Sequence, residues 1–198
     1  MAKYFCPQCQ KTIRFYSPNI SANYHCPENL DGIFVLAHYD GIIRKAIKEV
    51  KYRGKHAIFS EIAQMFPQKL NFNFDYLVPV PLSKGRQTER GFNQAERLAQ
   101  YLNEQLAINN EQYNGKVVNL LERVRETRPQ FDLKIKDRAE NVKDAFAINS
   151  KFKNQNLKFN FCLIDDVATT GATINECAKV LKKAGASKVY AICIARGG

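Results

Sequence analysis

The most informative segment of the chain is Phe159-Asn-Phe-Cys-Leu-Ile-Asp-Asp-Val-Ala-Thr-Thr-Gly-Ala-Thr173, near its C-terminus. Its apolar run, 161–164, is short and is followed at once by turn residues, which predicts a buried strand that ends before Asp165. Two carboxylates and a loop of small and hydroxyl residues come next. Apolar residues then repeat every three or four positions from Ile174 to 184, so a helix is predicted, with Gly185 at its C-cap.

This predicted strand–loop–helix turn is typical of a phosphate site. Several backbone N–H groups and the positive end of a helix dipole converge there on one point. The carboxylates Asp165 and Asp166 precede the loop and cannot themselves hold a phosphate dianion. They suit neutral hydroxyls, such as those of ribose, or a hydrated Mg²⁺ ion. The residues therefore predict a 5-phosphorylated ribose as ligand.

Two alternatives compete with this interpretation. A Walker B strand also ends in two aspartates, but the chain has no GxxxxGK[ST] sequence to partner it. The other alternative is an ordinary strand–helix turn with a hydroxyl-rich cap. The unbroken order of residues 161–173 resembles the signature with which type I phosphoribosyltransferases bind 5-phosphoribosyl 1-pyrophosphate (PRPP). That resemblance implies that Asp165 and Asp166 hold the ribose hydroxyls and act in catalysis. It also implies that the 5-phosphate is bound by Val167, Ala168, Thr169, Thr170, Gly171, Ala172 and Thr173.

Length and composition indicate one globular domain with an appendage. The chain has 198 residues, of which 45% are hydrophobic and 25% charged. The net charge of +11 favours anionic partners such as nucleic acid or pyrophosphate-bearing ligands. No apolar run approaches the length of a membrane span, and the N-terminus has no hydrophobic targeting core, so a cytoplasmic protein is expected.

The first 37 residues predict a small module that resembles a zinc ribbon. Cys6 and Cys9 form a CxxC knuckle, and Cys26 follows seventeen residues after Cys9, but Asn29 stands where a fourth cysteine is expected. The three cysteines are predicted to bind a structural Zn²⁺, with His25 or the more distant His38 as candidate fourth ligands. The alternative is a ribbon without metal, folded by aromatic packing alone.

Two further segments carry many cations. Apolar residues at 43, 46, 47 and 50 predict an amphipathic helix whose other face holds Arg44, Lys45, Lys48 and Lys51. This face is either a solvated surface or a basic lip over an anionic ligand. The second segment, 122–143, contains seven lysines and arginines and one aromatic residue. It is interpreted as a solvated connection with a short helix at 137–143, although single-stranded nucleic acid is an alternative ligand.

The segment 75–94 predicts a second part of the site. A strand at 75–81 leads into a polar loop that contains Ser83, Lys84, Arg86 and Arg90. Ligands of open α/β sheets bind beyond the carboxyl ends of the strands, so this loop is expected beside the phosphate turn. The loop is followed by a predicted helix at 92–106.

Residues 78–94 also resemble the ComF family of competence proteins, as do Lys51-Tyr52-Arg53-Gly54 and the segment from Thr127 to Phe146. With the C-terminal turn and the cysteine knuckle, the resemblance covers nearly the whole chain. It implies that Ser83, Lys84, Arg86 and Arg90 hold pyrophosphate together with Mg²⁺. It also implies a role in the uptake of transforming DNA, with single-stranded DNA, a ComFA-like helicase and a DprA-like protein as partners.

Strands that alternate with helices predict a mainly parallel, doubly wound sheet of the type I phosphoribosyltransferase kind over 38–198. Three functions stay open from the sequence. The chain is a PRPP-binding protein of DNA uptake, an active phosphoribosyltransferase of nucleotide metabolism, or a DNA-handling adaptor without turnover.

Overall fold

The computed structural model describes residues 4–16, 26–67, 70–109, 113–128 and 133–197. Within these ranges the helices are α1 (Pro7–Lys11), α2 (Gly41–Arg53), α3 (Ala57–Ala63), α4 (Lys84–Arg90), α5 (Gln94–Asn109), α6 (Arg138–Val142) and α7 (Ala172–Lys183). The strands are β1 (Gly32–His38), β2 (Tyr76–Pro79), β3 (Lys116–Val117), β4 (Leu121–Arg123), β5 (Phe146–Ile148), β6 (Asn160–Ala168) and β7 (Lys188–Arg196).

Five strands form one parallel sheet in the order β1-β7-β6-β2-β3. β4 and β5 form a separate antiparallel pair. From β2 the chain continues outward through α5 to β3, whereas from β6 it continues in the other direction through α7 to β7. The strand order therefore switches between β2 and β6, and a crevice opens at the carboxyl ends of these two strands. The predicted α/β fold with a mainly parallel sheet is confirmed.

The sheet separates two hydrophobic clusters. One cluster includes Ile164 of β6 and packs the apolar faces of α2, α3 and α5. The other includes Leu163 of β6 and packs α7 together with the β4–β5 pair. Because successive side chains of a strand point to opposite faces, β6 is apolar on both sides, as predicted for 161–164. None of the helices in the described ranges is long and apolar enough to cross a membrane.

Several predicted boundaries are wrong. β6 does not end before Asp165 but continues to Ala168, because β7 pairs with it as far as Arg196. The predicted loop at 82–94 contains α4, which Ser83 caps by accepting a hydrogen bond from the Arg86 N–H at 3.4 Å. Between α5 and β6 the chain forms two short strands, β3 and β4, and a 3₁₀ turn, Ser150–Phe152, lies between β5 and β6.

The N-terminal segment packs onto the main domain. Phe5 is fully buried in the α2–α3 cluster, and the backbone N–H groups of Tyr4 and Phe5 donate to the Glu61 carboxylate at 2.7 and 3.0 Å. The predicted domain boundary after residue 37 lies inside β1, whose residues 32–38 pair with β7. β1 is therefore an edge strand of the sheet, and most of it comes from the segment assigned to the N-terminal module.

Candidate functional site

A cavity of about 500 Å³ lies at the carboxyl ends of β2 and β6, where the strand order switches. It brings together the acidic pair, the start of α7, the α4 segment and the basic face of α2. Of the residues predicted for the PRPP site, those that line the cavity are Asp165, Asp166, Val167, Thr169, Thr173, Arg86 and Arg90. The size and position of the cavity suit a small-molecule ligand.

Asp166 points toward α2 and forms an ion pair with Lys51. The Lys51 Nζ lies 2.5 Å from the Asp166 Oδ2, and the Asp166 side chain is 4% exposed. Burial alone raises the pKa of Asp166, but the charge and hydrogen bond of Lys51 outweigh it and lower that pKa. Burial lowers the pKa of Lys51, but the charge of Asp166 raises it by more, so the net shift is upward. Both groups are therefore charged at neutral pH.

Asp165 is the other carboxylate of the pair, and its environment differs. Burial, followed by the neighbouring charge of Asp166, raises the pKa of Asp165 to about 8. Its Oδ1 accepts a hydrogen bond from the Asp166 N–H at 2.8 Å. Asp165 consequently holds a proton at neutral pH in the free protein. The protonated carboxyl both donates and accepts hydrogen bonds, which suits sugar hydroxyls.

The turn after β6 has the geometry expected of a phosphate site. Gly171 adopts φ 76°, a left-handed conformation that favours glycine, and α7 begins at the next residue. The Thr170 Oγ1 accepts a hydrogen bond from the Ala172 N–H at 3.3 Å, so this hydroxyl supports the turn. The start of α7 faces the cavity through Thr169 and Thr173, whereas Ala168, Thr170, Gly171 and Ala172 are not among the residues that line it.

Only part of the predicted pyrophosphate segment reaches the cavity. Ser83 is buried as the cap of α4, and the backbone N–H of Lys84 donates to the Glu126 carboxylate at 2.9 Å. Neither residue lines the cavity. Arg86 and Arg90 do line it. The Arg90 Nη1 donates to the Gln94 Oε1 at 3.0 Å, and its guanidinium lies 5.7 Å from the ring centroid of Tyr52. These contacts fix the orientation of Arg90 at the cavity wall.

Cations dominate the wall of the cavity. Eight of them line it against two carboxylates: Arg44, Lys48, Lys51, Arg86, Arg90, Arg123, Arg128 and Arg138. Three come from α2, so its basic face borders the cavity, although Lys45 of that face does not. Arg123, Arg128 and Arg138 come from the segment 122–143, which was interpreted from the sequence as a solvated connection. A cavity wall of this charge is suited to a polyanionic ligand.

The structure brings together two of the three cysteines predicted to bind zinc. The Sγ atoms of Cys6 and Cys9 lie 3.3 Å apart, and a hydrogen bond from the Cys9 backbone lowers the pKa of the Cys6 thiol. Cys26 packs instead against the α7 side of the sheet and its Sγ contacts the Leu30 carbonyl. In the described residues no three His, Cys, Asp or Glu side chains are grouped to hold a metal ion. His25 lies outside those residues, and Zn²⁺ binding stays a prediction.

Asn29, which stands where a fourth zinc-binding cysteine was expected, forms hydrogen bonds to α7. Its backbone N–H and its Nδ2 both donate to the Asn175 Oδ1, at 2.9 and 3.1 Å. Asn175 lies in the first turn of α7, the helix that begins directly after the predicted phosphate turn. Asn29 therefore connects the N-terminal segment to the helix that carries this turn.

The parallel sheet, its switch in strand order and the cavity at this position are consistent with a type I phosphoribosyltransferase-like fold. No protein-family model matches the chain. The chain is 29% identical over 201 residues to competence protein F of Haemophilus influenzae, with 97% of this chain and 84% of that protein covered. It is 34% identical over 122 residues to the DNA utilization protein YhgH of Escherichia coli K12, with 62% and 49% covered.

A third relative is the competence protein ComFC of Bacillus subtilis, which is 29% identical over 168 residues, with 80% of this chain and 61% of that protein covered. These relatives support the resemblance of the chain to the ComF/ComFC family of competence proteins.

Proposed function

We propose that the cavity binds PRPP together with Mg²⁺ and that the protein acts in the uptake or use of DNA during natural competence. The observation that carries the binding proposal is the meeting of three elements in one cavity: the acidic pair, the start of α7 and the arginines of α4. The competence role is supported by the names of the relatives, two competence proteins and a DNA utilization protein. Single-stranded DNA and the ComFA-like and DprA-like partners remain predictions.

Each part of PRPP has a chemically suitable partner. The backbone N–H groups at the start of α7, with Thr169 and Thr173, suit the 5-phosphate. Asp165 lies beside this turn and suits the ribose hydroxyls. Arg86 and Arg90 suit the pyrophosphate because guanidinium groups bind phosphate oxygens in pairs. The Arg90 Nε is buried and has no hydrogen-bond partner among the described residues, so a ligand oxygen would satisfy it.

Mg²⁺ fits this cavity only as an ion that arrives with the ligand. The two carboxylates that line it are a protonated Asp165 and an Asp166 paired with Lys51, so they offer no oxygen cage of their own. Mg²⁺ is commonly bound through substrate phosphates and water with few protein ligands. When bound, it would neutralise part of the pyrophosphate charge.

Transfer of the phosphoribosyl group would break the bond between C1 of the ribose and pyrophosphate. Positive charge develops on the ribose ring as that bond breaks, as in glycoside chemistry. Asp166 remains ionised through its pair with Lys51 and would place negative charge near that ring. The chain's contribution would be to position the ligand and to stabilise the charges that develop.

Asp165→Asn tests the assignment of the ribose. Asparagine has the shape of the protonated carboxyl but offers a different pattern of donors and acceptors. We expect the affinity for PRPP in Mg²⁺ to fall by about tenfold, which corresponds to one or two hydrogen bonds. Affinity for pyrophosphate alone should change by less than about twofold, because that anion has no hydroxyl to contact Asp165. Isothermal calorimetry measures both.

The exposed Asp137→Asn variant is the matched control and should bind both ligands like the wild type. If Asp165→Asn bound PRPP with unchanged affinity, the assignment of the ribose to Asp165 would be wrong. If both ligands lost affinity equally, the carboxylate would act on the pyrophosphate part of the cavity instead.

A further inference from the structure

The proposed PRPP site leaves one part of the cavity wall without an anion. Arg123 at the end of β4, Arg128 after it and Arg138 at the start of α6 line the cavity. They come from the connection between β3 and β5. The 5-phosphate and pyrophosphate are assigned to other elements, the start of α7 and the α4 segment.

These three arginines are held in place by the protein. The Arg123 guanidinium donates to the Thr127 hydroxyl and lies 5.3 Å from the centroid of the Phe146 ring. The backbone of Arg128 is bound on both sides by one side chain, since its N–H donates to the Asn141 Oδ1 at 3.1 Å and its carbonyl accepts from the Asn141 Nδ2 at 3.0 Å. The Arg138 Nε donates to the Leu133 carbonyl at 3.3 Å.

Their charge is not neutralised within the part of the chain that the structure describes. None of the three forms an ion pair with a carboxylate there. Burial, followed by the charge of Arg86, lowers the pKa of Arg123, so like charges adjoin at this wall. Such an arrangement is unfavourable in the free protein and becomes favourable when an anion enters.

We propose that Arg123, Arg128 and Arg138 bind the carboxylate or phosphate group of a second, small ligand that enters the cavity beside PRPP. The inference rests on the proposed function for the position of PRPP, and it names the chemical class of the second substrate. Guanidinium groups bind both kinds of anion in pairs of hydrogen bonds, so the two sources share one chemistry. Tyr52, 62% exposed at the same cavity, offers a flat apolar surface beside which a ring can lie.

The test is a set of calorimetric titrations on the full chain in the absence of PRPP. The probes are orotate as an aromatic carboxylate, adenosine 5′-monophosphate as a phosphate, adenine as a neutral ring, pyrophosphate and a thymidine oligonucleotide. We expect orotate or adenosine monophosphate to bind the wild type. The affinity should fall at least about tenfold in Arg128→Gln/Arg138→Gln, in which two charged donors are lost. Binding of orotate alone identifies the carboxylate, and binding of the nucleotide alone identifies the phosphate.

Two further variants separate a binding role from a structural one. Lys136→Gln removes an exposed cation from the same connection and should leave the affinity within about twofold. Arg128→Lys keeps the charge and should retain more affinity than Arg128→Gln, which tests the proposal even where the double variant fails to fold.

Three results would overturn the inference: binding of adenine but of neither small anion, binding of the oligonucleotide alone, or an equal loss of pyrophosphate affinity in Arg128→Gln/Arg138→Gln. Failure of the proposed function looks different. In that case the wild type does not bind pyrophosphate or PRPP, whereas the small anion still depends on Arg128 and Arg138.

Discussion

Replacing Lys51 with methionine is expected to lower the free energy of unfolding by about 3 kcal/mol, because it removes one partner of a buried ion pair. The Lys51 and Asp166 side chains are 18% and 4% exposed, and their charged atoms lie 2.5 Å apart. Without Lys51 the Asp166 carboxylate is left buried with its nearest cation gone. Urea unfolding monitored by circular dichroism measures the loss.

The double variant Lys51→Met/Asp166→Asn should recover most of this loss, since no uncompensated charge then remains buried. Lys45→Met is the control on the same helix. Lys45 is exposed, and its replacement should change stability by less than about 0.5 kcal/mol. If Lys51→Met were no less stable than Lys45→Met, the ion pair between Lys51 of α2 and Asp166 of β6 would not contribute to the free energy of unfolding.

The second large effect is on the pH dependence of stability. The pKa of Asp165 is raised from 3.8 to about 8 in the folded protein. Between these values the folded chain holds a proton that the unfolded chain has released. The stability that this proton confers is complete below about pH 4 and is lost as pH rises through about 8. Asp165→Asn removes this titration. As pH rises from 5 to 8, the free energy of unfolding of the variant should therefore increase relative to that of the wild type by roughly 2–4 kcal/mol.

Other groups near Asp165 titrate outside this window or cancel in the comparison. The pKa of Asp166 is lowered and that of Lys51 is raised, so both remain charged from pH 5 to pH 8. Burial lowers the pKa of His38, which affects wild type and variant alike. The measurement is urea unfolding at several pH values, with Asp137→Asn as control. Parallel stability curves for wild type and Asp165→Asn would show that Asp165 is ionised throughout.

The parts of the fold that could be predicted are those whose apolar pattern lies within one continuous segment. The apolar run 161–164 and the repeat of apolar residues from Ile174 predicted β6 and α7, and the structure confirms both elements. The end of β6 was not predictable, because Asp165 and Asp166 remain in the strand only through pairing with β7. α4 was missed for another reason. It has no buried residue, so its sequence shows no apolar stripe, and only its caps, Ser83 at the start and Gly91 at the end, could have indicated it.

The site was predictable as separate segments but not as one constellation. The sequence singled out the acidic pair, the turn before α7 and the arginines of α4, and these meet at one cavity. The ion pair between Lys51 and Asp166 joins residues far apart in sequence, so no local pattern reveals it. Arg123, Arg128 and Arg138 reach the cavity because β4 pairs with β5 and Asn141 holds the backbone of Arg128. In the sequence they look like any charged connection.

The decisive measurement is a calorimetric titration of PRPP into the wild-type protein, with and without Mg²⁺. We expect saturable binding of one PRPP per chain in the presence of Mg²⁺. Binding should be much weaker without the ion and should be displaced by pyrophosphate. No detectable binding up to about 1 mM PRPP in the presence of Mg²⁺ would show that the cavity is not a PRPP site, since a cavity lined by this many cations should bind PRPP well below that concentration.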